Sequence, residues 1–243
     1  MNPLYIVSTP IGNKADITIR ALTILFSSDI IACEDTRRTS LLLSNYSNML
    51  KRKEISINGI DPNRQSKLIS YYDEVEIFKA DEIVRLIREG KKVSLVSDSG
   101  TPLVADPGFK LIQACFKNKI PITAVPGPSA LVSSLTVSGF PPNQFLFLGF
   151  APNKSSGRVR TFAHLKDVYD KSFLNPTVIF YESPHRIYEC LKDLERVFGD
   201  IEIVIAREMT KLHEEVIRAR ISSVLGKPET LIGEITVLFR LGV

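Results

Sequence analysis

Six short segments of the chain concentrate the side chains that bind ligands and move protons. They are STPIGN (residues 8–13), EDTRRT (34–39), SDSGTP (97–102), PGPSA (126–130), ESPHR (182–186) and REMTK (207–211). In SDSGTP, Asp98 follows an apolar run directly, Gly100 permits close backbone approach and Pro102 stiffens the exit, so a ligand would meet mostly backbone. The same residues also make an ordinary tight turn in which Asp98 or Ser99 caps its own chain. PGPSA can present the free N–H groups of Ser129 and Ala130 at a helix start, where polar ligand groups bind well. EDTRRT joins two carboxylates to Arg37 and Arg38, which suits phosphate binding or the anchoring of a catalytic carboxylate, and equally an N-cap at Asp35 flanked by solvated arginines. His185 is an acid/base candidate or a structural histidine. Lys211, beside Glu208, is a candidate base or a paired surface lysine. Asp35, Asp98 and Lys211 are the groups able to assist the departure of a hydroxyl proton, Lys211 only with a lowered pKa.

A basic stretch, PNKSSGRVR (residues 152–160), reads as a polar loop carrying Lys154, Arg158 and Arg160, with Gly157 for flexibility. It can follow a nucleic-acid backbone, and Arg37, Arg38 and Arg186 can extend that surface, because a guanidinium holds phosphate with two parallel hydrogen bonds. An ordinary solvated loop has the same composition. Aromatic signatures of RNA-recognition modules are missing. Cys33, Cys115 and Cys190 are odd in number and far apart, with no CxxC and no clustered histidines, so neither a disulfide frame nor a metal site is expected.

These segments need elements to hold them. Short β-branched apolar runs alternate with helical periodicity: residues 4–7, 30–33, 54–58, 93–97 and 122–125 read as strands, and so do 145–149, 177–181, 201–206 and 234–241. A helix starts near Asp16, capped by Asp16 or Thr18, another follows EDTRRT, and residues 80–89 and 109–117 give two more. Such alternation predicts an α/β fold of two domains, residues 1–122 and 123–243, built on parallel sheets covered on both faces. Ligands of such sheets collect beyond the carboxyl ends of the strands, where all six segments fall. GxGxxG and GKS/GKT signatures are absent, which weakens dinucleotide and P-loop readings.

The chain has 243 residues, 44% of them hydrophobic and 24% charged, with a formal charge of +4. This composition excludes disordered, collagen-like and fibrous classes, and the small positive surplus suits anionic as well as neutral substrates. Apolar runs stop well short of a membrane span, and the N-terminus lacks the anatomy of a signal peptide, so a cytoplasmic protein without membrane partners is expected.

Taken together and in order over residues 4–239, VSTPIGN, EDTRRT, VSDSGTPLVADPG, VPGPSA, FYESPHR and AREMTK resemble the tetrapyrrole methylase superfamily, and within it the ribose methyltransferases of bacterial small-subunit rRNA. The resemblance implies two α/β domains with S-adenosylmethionine folded in the cleft between them, and commonly a homodimer. It implies cofactor contacts at Pro10, Gly100, Thr101, Pro102, Val104, Ser129 and Ala130 and near Glu182, Met209 and Gly233, many through backbone. The implied substrate is the ribose 2′-hydroxyl of a cytidine in the decoding region of 16S rRNA, in the assembled small ribosomal subunit. Ser99 stands where the family has Ala, and Arg64 follows Asn63 where an acidic residue is common. Two rivals remain: a methyltransferase of porphyrinoid acids, and a non-catalytic module that binds S-adenosylmethionine or nucleotide and works through a partner.

Overall fold

The computed structural model describes residues 2–171, 174–226 and 231–240. The chain divides into two units, one reaching to Ser129 and the other starting at Ala130. In the first, β1 (Leu4–Val7), α1 (Ile19–Leu25), β2 (Ile30–Cys33), α2 (Thr36–Lys51), β3 (Lys67–Ser70), α3 (Glu76–Arg88), β4 (Val93–Val96), α4 (Phe109–Lys117) and β5 (Ile122–Val125) alternate along the chain. The sheet has the order β3-β2-β4-β1-β5 and every pair is parallel. Alternate side chains of one strand serve opposite faces. Ile30 and Ala32 pack with Ile83, Ile87, Leu111 and Cys115 of α3 and α4, while Ile31 and Cys33 pack with Ala21 and Leu25 of α1. Thr18, not Asp16, caps α1 by accepting from the Ala21 N–H at 3.0 Å.

Two expectations change here. Residues 54–58 form no strand: Ile55 and Ile57 instead pack over Leu22, Phe26 and Tyr46, and the third strand is the more polar Lys67–Ser70. Residues 123–125, expected to open the second domain, pair with β1 and so fall in the first unit.

The second unit runs α5 (Ala130–Val137), β6 (Phe145–Phe150), α6 (Ser155–Lys171), β7 (Thr177–Glu182), α7 (Ile187–Phe198), β8 (Glu202–Arg207), β9 (Glu215–Arg220), α8 (Ile221–Leu225) and β10 (Ile235–Phe239). Its sheet, β6-β7-β10-β8-β9, is mixed rather than parallel, because β10 lies antiparallel between β7 and β8, and β9 returns from β8 as a hairpin. Residue 241, the expected end of the last strand, lies outside the described residues. The core gathers Phe162, Phe180, Phe198 and Phe239 with Ile187, Leu191 and Leu194 from the apolar face of α7. Residues 155–160, expected in a loop, are the first turns of α6.

All three cysteines are buried and unbonded; burial pushes the thiols of Cys33 and Cys115 up to about 11, so they pack as small apolar groups. Among the described residues no helix is long and apolar enough to cross a membrane.

Candidate functional site

At the carboxyl ends of the first sheet, three loops are bolted together. Thr9 and Gly100 form an antiparallel bridge, with N···O distances of 2.8 and 3.1 Å. The Thr101 hydroxyl lies 3.0 Å from the Ser8 hydroxyl and 3.0 Å from the Pro128 carbonyl, so one side chain ties the loops after β1, β4 and β5. Gly127 approaches so closely that an added Cβ would stand 2.8 Å from that of Ser8. Pro10 and Pro102 are buried behind this bolt, whereas Val104, Ser129 and Ala130 are only partly covered. Leu103 and Ala105 both hold left-handed backbone, at φ of 72° and 67°. Strain of this kind persists only where surroundings fix it, and it concentrates at ligand-binding turns. Glu76, which sequence reasoning missed, supplies part of that fixing: its buried carboxylate accepts from the N–H groups of Gly108 and Lys110 at 2.8 and 2.9 Å and so caps α4. No local pattern announces it, because the partner lies 32 residues away. Thr101→Val keeps the shape but strands the Pro128 carbonyl; we expect a loss of about 1–2 kcal/mol in chemical unfolding, together with weaker cofactor binding in equilibrium dialysis.

A carboxylate cluster sits at the same strand ends. Asp98 accepts from the Asp35 N–H at 3.1 Å and pairs with Arg38 at 3.2 Å. Asp35 caps α2 by accepting from the Arg37 N–H at 2.8 Å and pairs with the Arg37 guanidinium. That hydrogen-bonding holds Asp35 down at about 2, so it is a poor base. Asp106 is the opposite case and was missed, although it lies within the quoted VADPG. Burial first, and then the charges of Glu34, Asp98 and Asp73 against a hydrogen bond from Ser97, push it up to about 6. Glu34 is raised by burial and by Asp98. Carboxylates raised by the like charges around them mark a local field that favours a cation.

In the second unit the turn after β8 holds Glu208 and Thr210 at positive φ, 50° and 66°. The Glu208 carboxylate accepts from the Glu234 N–H at 3.0 Å and from Lys211 Nζ at 2.8 Å, and Lys211 also reaches Glu234 at 3.2 Å. Lys211 is thereby raised: burial pulls it down, but the two carboxylates outweigh that, which is the wrong direction for a base. Its role is to tie this turn. Gly233, at φ 96°, lies where a Cβ would come within 2.3 Å of the Glu208 carboxylate. Gly233→Ala therefore displaces Glu208 and strains the backbone; we expect a loss of roughly 2–3 kcal/mol in urea unfolding. Met209 is buried beside it.

The basic residues separate into two groups. Lys154, Arg160, Arg37 and Arg38 are exposed, the last two each paired with an acid. Arg158 is buried and bonded to Asp193, and Arg186 is turned onto the buried carboxylate of Glu182, so neither guanidinium is presented to a phosphate, contrary to expectation. Glu182 is likewise engaged through Oε1, by Arg186 and by the Ser183 N–H, while its Oε2 is buried with no hydrogen-bond partner among the described residues. His185 is exposed. Among the described residues no group of three or more His, Cys, Asp or Glu is arranged to hold a metal.

The family model of the tetrapyrrole (corrin/porphyrin) methylases matches residues 3–225. The chain is 45% identical to the ribosomal RNA small subunit methyltransferase I of Hydrogenobaculum sp. (strain Y04AAS1), covering 97% of this chain and 94% of that protein. It is 42% identical to the protein of the same name from Thermotoga maritima, over 98% of each. Among solved structures, the methyltransferase CobJ superposes with a TM-score of 0.65 at 18% identity, over 98% of this chain and 93% of that one. The uroporphyrin-III C-methyltransferase of Thermus thermophilus, complexed with S-adenosyl homocysteine, superposes at 0.60 and 18% identity, over 98% and 97%. At those identities the two structures speak for the fold.

Proposed function

The chain belongs to the tetrapyrrole methylases and, within them, to the ribosomal RNA small subunit methyltransferase I family, and on that premise we propose that it methylates the ribose 2′-hydroxyl of a cytidine in the decoding region of 16S rRNA, in the assembled small subunit. It is an S-adenosylmethionine-dependent methyltransferase of small-subunit rRNA; the 2′-oxygen, the cytidine and the decoding region are the parts we add. A cytoplasmic homodimer belongs to the same proposal, and sedimentation tests it.

The observation that carries the reading is the pair of raised acids, Glu34 and Asp106, beside the backbone-lined bolt of Ser8, Thr9, Gly100 and Thr101. A sulfonium carries positive charge and a nucleoside offers donors and acceptors at fixed spacing, so an acidic field beside exposed backbone fits both. By this reading the cofactor contacts are Pro10, Gly100, Thr101, Pro102, Val104, Ser129 and Ala130, with others near Glu182, Met209 and Gly233. Bound there, the cofactor supplies an electrophilic methyl group.

What the chain itself must do is orient a ribose oxygen in line with that methyl and exclude water, which supplies most of the acceleration. The hydroxyl proton then needs an acceptor. A base works best with a pKa near the working pH. Asp106, at about 6, meets that condition and Asp35, at about 2, does not. Asp98, between the Asp35 N–H and Arg38, positions the EDTRRT segment around them.

The test is transfer of label from S-adenosylmethionine to small subunits from cells lacking the enzyme, with naked 16S rRNA and a porphyrinoid acid offered in parallel. Label in the subunit supports the reading. Label in the porphyrinoid alone replaces it with the first rival, and cofactor binding without any transfer replaces it with the second.

A further inference from the structure

Arg158 and Arg186 hold the same stretch of backbone from two sides. Arg158 donates from Nη1 to the carbonyls of Pro152 and Asn153, at 3.3 and 3.0 Å, while its Nε donates to Asp193 Oδ2 at 2.6 Å. Ser155 Oγ donates to the other Asp193 oxygen at 2.7 Å. Arg186 donates to the Ala151 carbonyl at 3.3 Å and to the side-chain carbonyl of Asn153, and its Nε is held by Glu182 Oε1 at 2.8 Å. Residues 151–153 are thus clamped by two guanidinium groups, each anchored on a buried carboxylate. Holding two carboxylates and the Arg158 guanidinium out of water is costly, and a loop with no task beyond joining β6 to α6 does not need them.

The next residue is Lys154. It is exposed and has no ion pair among the described residues. Its carbonyl accepts from the N–H groups of Gly157 and Arg158, at 2.9 and 3.0 Å, so it stands at the amino end of α6. A cation at the positive end of a 17-residue helix is unfavourable by itself, and a phosphate placed there relieves both the lysine and the dipole.

We propose that Arg158 and Arg186 are positioning residues, which fix residues 151–153 on Asp193 and Glu182 so that Lys154 meets a phosphate of the RNA substrate with the ordering cost of the loop already met. This rests on the reading that the substrate is RNA. Preorganisation of this kind improves affinity without adding a contact.

Binding of a short fluorescent oligoribonucleotide, alongside kinetics on small subunits, tests it. Lys154→Ala should weaken binding about fivefold, the scale of one phosphate contact. Arg158→Lys, which keeps the charge but loses the fork, should weaken it similarly, and the double variant should be no weaker than either single one. Asp193→Asn removes a negative charge, so charge counting alone expects tighter RNA binding; the clamp expects weaker binding, with KM for subunits raised, kcat kept and cofactor affinity unchanged. If Asp193→Asn does not fold, Ser155→Ala removes only one bond of the clamp and should weaken RNA binding in the same sense. Additive losses in the double variant, or tighter binding by Asp193→Asn, overturn the clamp while leaving RNA as substrate. Failure of the unaltered protein to bind or methylate RNA overturns the substrate reading instead.

Discussion

Arg158→Leu should cost the second unit about 3–5 kcal/mol, and the double replacement Arg158→Leu with Asp193→Leu should return most of it. Arg158 and Asp193 are only 4% and 8% exposed, so the pair sits out of water at 2.6 Å. Removing the arginine leaves a buried carboxylate with the Ser155 hydroxyl as its remaining hydrogen-bond partner among the described residues. That charge must be neutralised or hydrated at the expense of packing between α6 and α7. Removing both charges eliminates the penalty and leaves two apolar side chains between helices that already pack together. Urea midpoints of the single and double variants read this directly. A single variant within about 1 kcal/mol of the parent would mean that the pair is hydrated, and the clamp on residues 151–153 would lose its footing.

Asp106→Asn should raise stability at pH 8, with the gain shrinking as the pH falls. The carboxyl is held up at about 6 in the folded chain, against about 4 for an unfolded aspartate. Between those values the folded protein keeps a proton that the unfolded chain has released, so stability falls as the pH rises through the window. Above about 6 the whole penalty is present, and below about 4 it is absent. Asparagine removes it, for a gain of about 1–2 kcal/mol at pH 8 after allowance for solvent at this half-buried group. Thermal midpoints at pH 8 and pH 4.5 give the comparison. No gain at pH 8 would mean that the strand ends carry little negative field, and the case for a cationic cofactor there would weaken. The same variant should lose methyl transfer, since it removes the group proposed to accept the hydroxyl proton.

Much of this was legible in the sequence because the strand-end segments are marked by composition alone. Apolar runs that stop abruptly at Ser, Glu or Pro located β1, β2, β4 and β5, and the loops after β1, β4 and β5 carry the bolt around Thr101. Elements without that contrast escaped. β9, Glu215–Arg220, lies on a sheet edge and has only the pair Val216 and Ile217 between its charges, too short an apolar run to stand out, and β3 hides in a polar stretch for the same reason. Residues 54–58 carry isoleucines that serve a helix cluster instead of a sheet. The parallel sheet expected for the second unit failed because strand order is set by long-range pairing: β10 enters between β7 and β8 from the end of the chain. For the charged residues, sequence gave the type and not the direction. Arg158 looked like its exposed neighbours Lys154 and Arg160, and only the approach of Asp193, 35 residues away, shows that it points inward. Asp106 and Glu76 escaped for a related reason, since their partners come from other loops and helices.

The most direct measurement of the central claim is the chemical position of the transferred methyl group. Small subunits labelled by this protein from S-adenosylmethionine are stripped to rRNA and hydrolysed completely with alkali, which cannot cleave next to a methylated 2′-oxygen. The account expects the label in an alkali-resistant dinucleotide with cytidine on its 5′ side, drawn from the decoding region. Label released entirely as mononucleotide would place the methyl group on a base and contradict it.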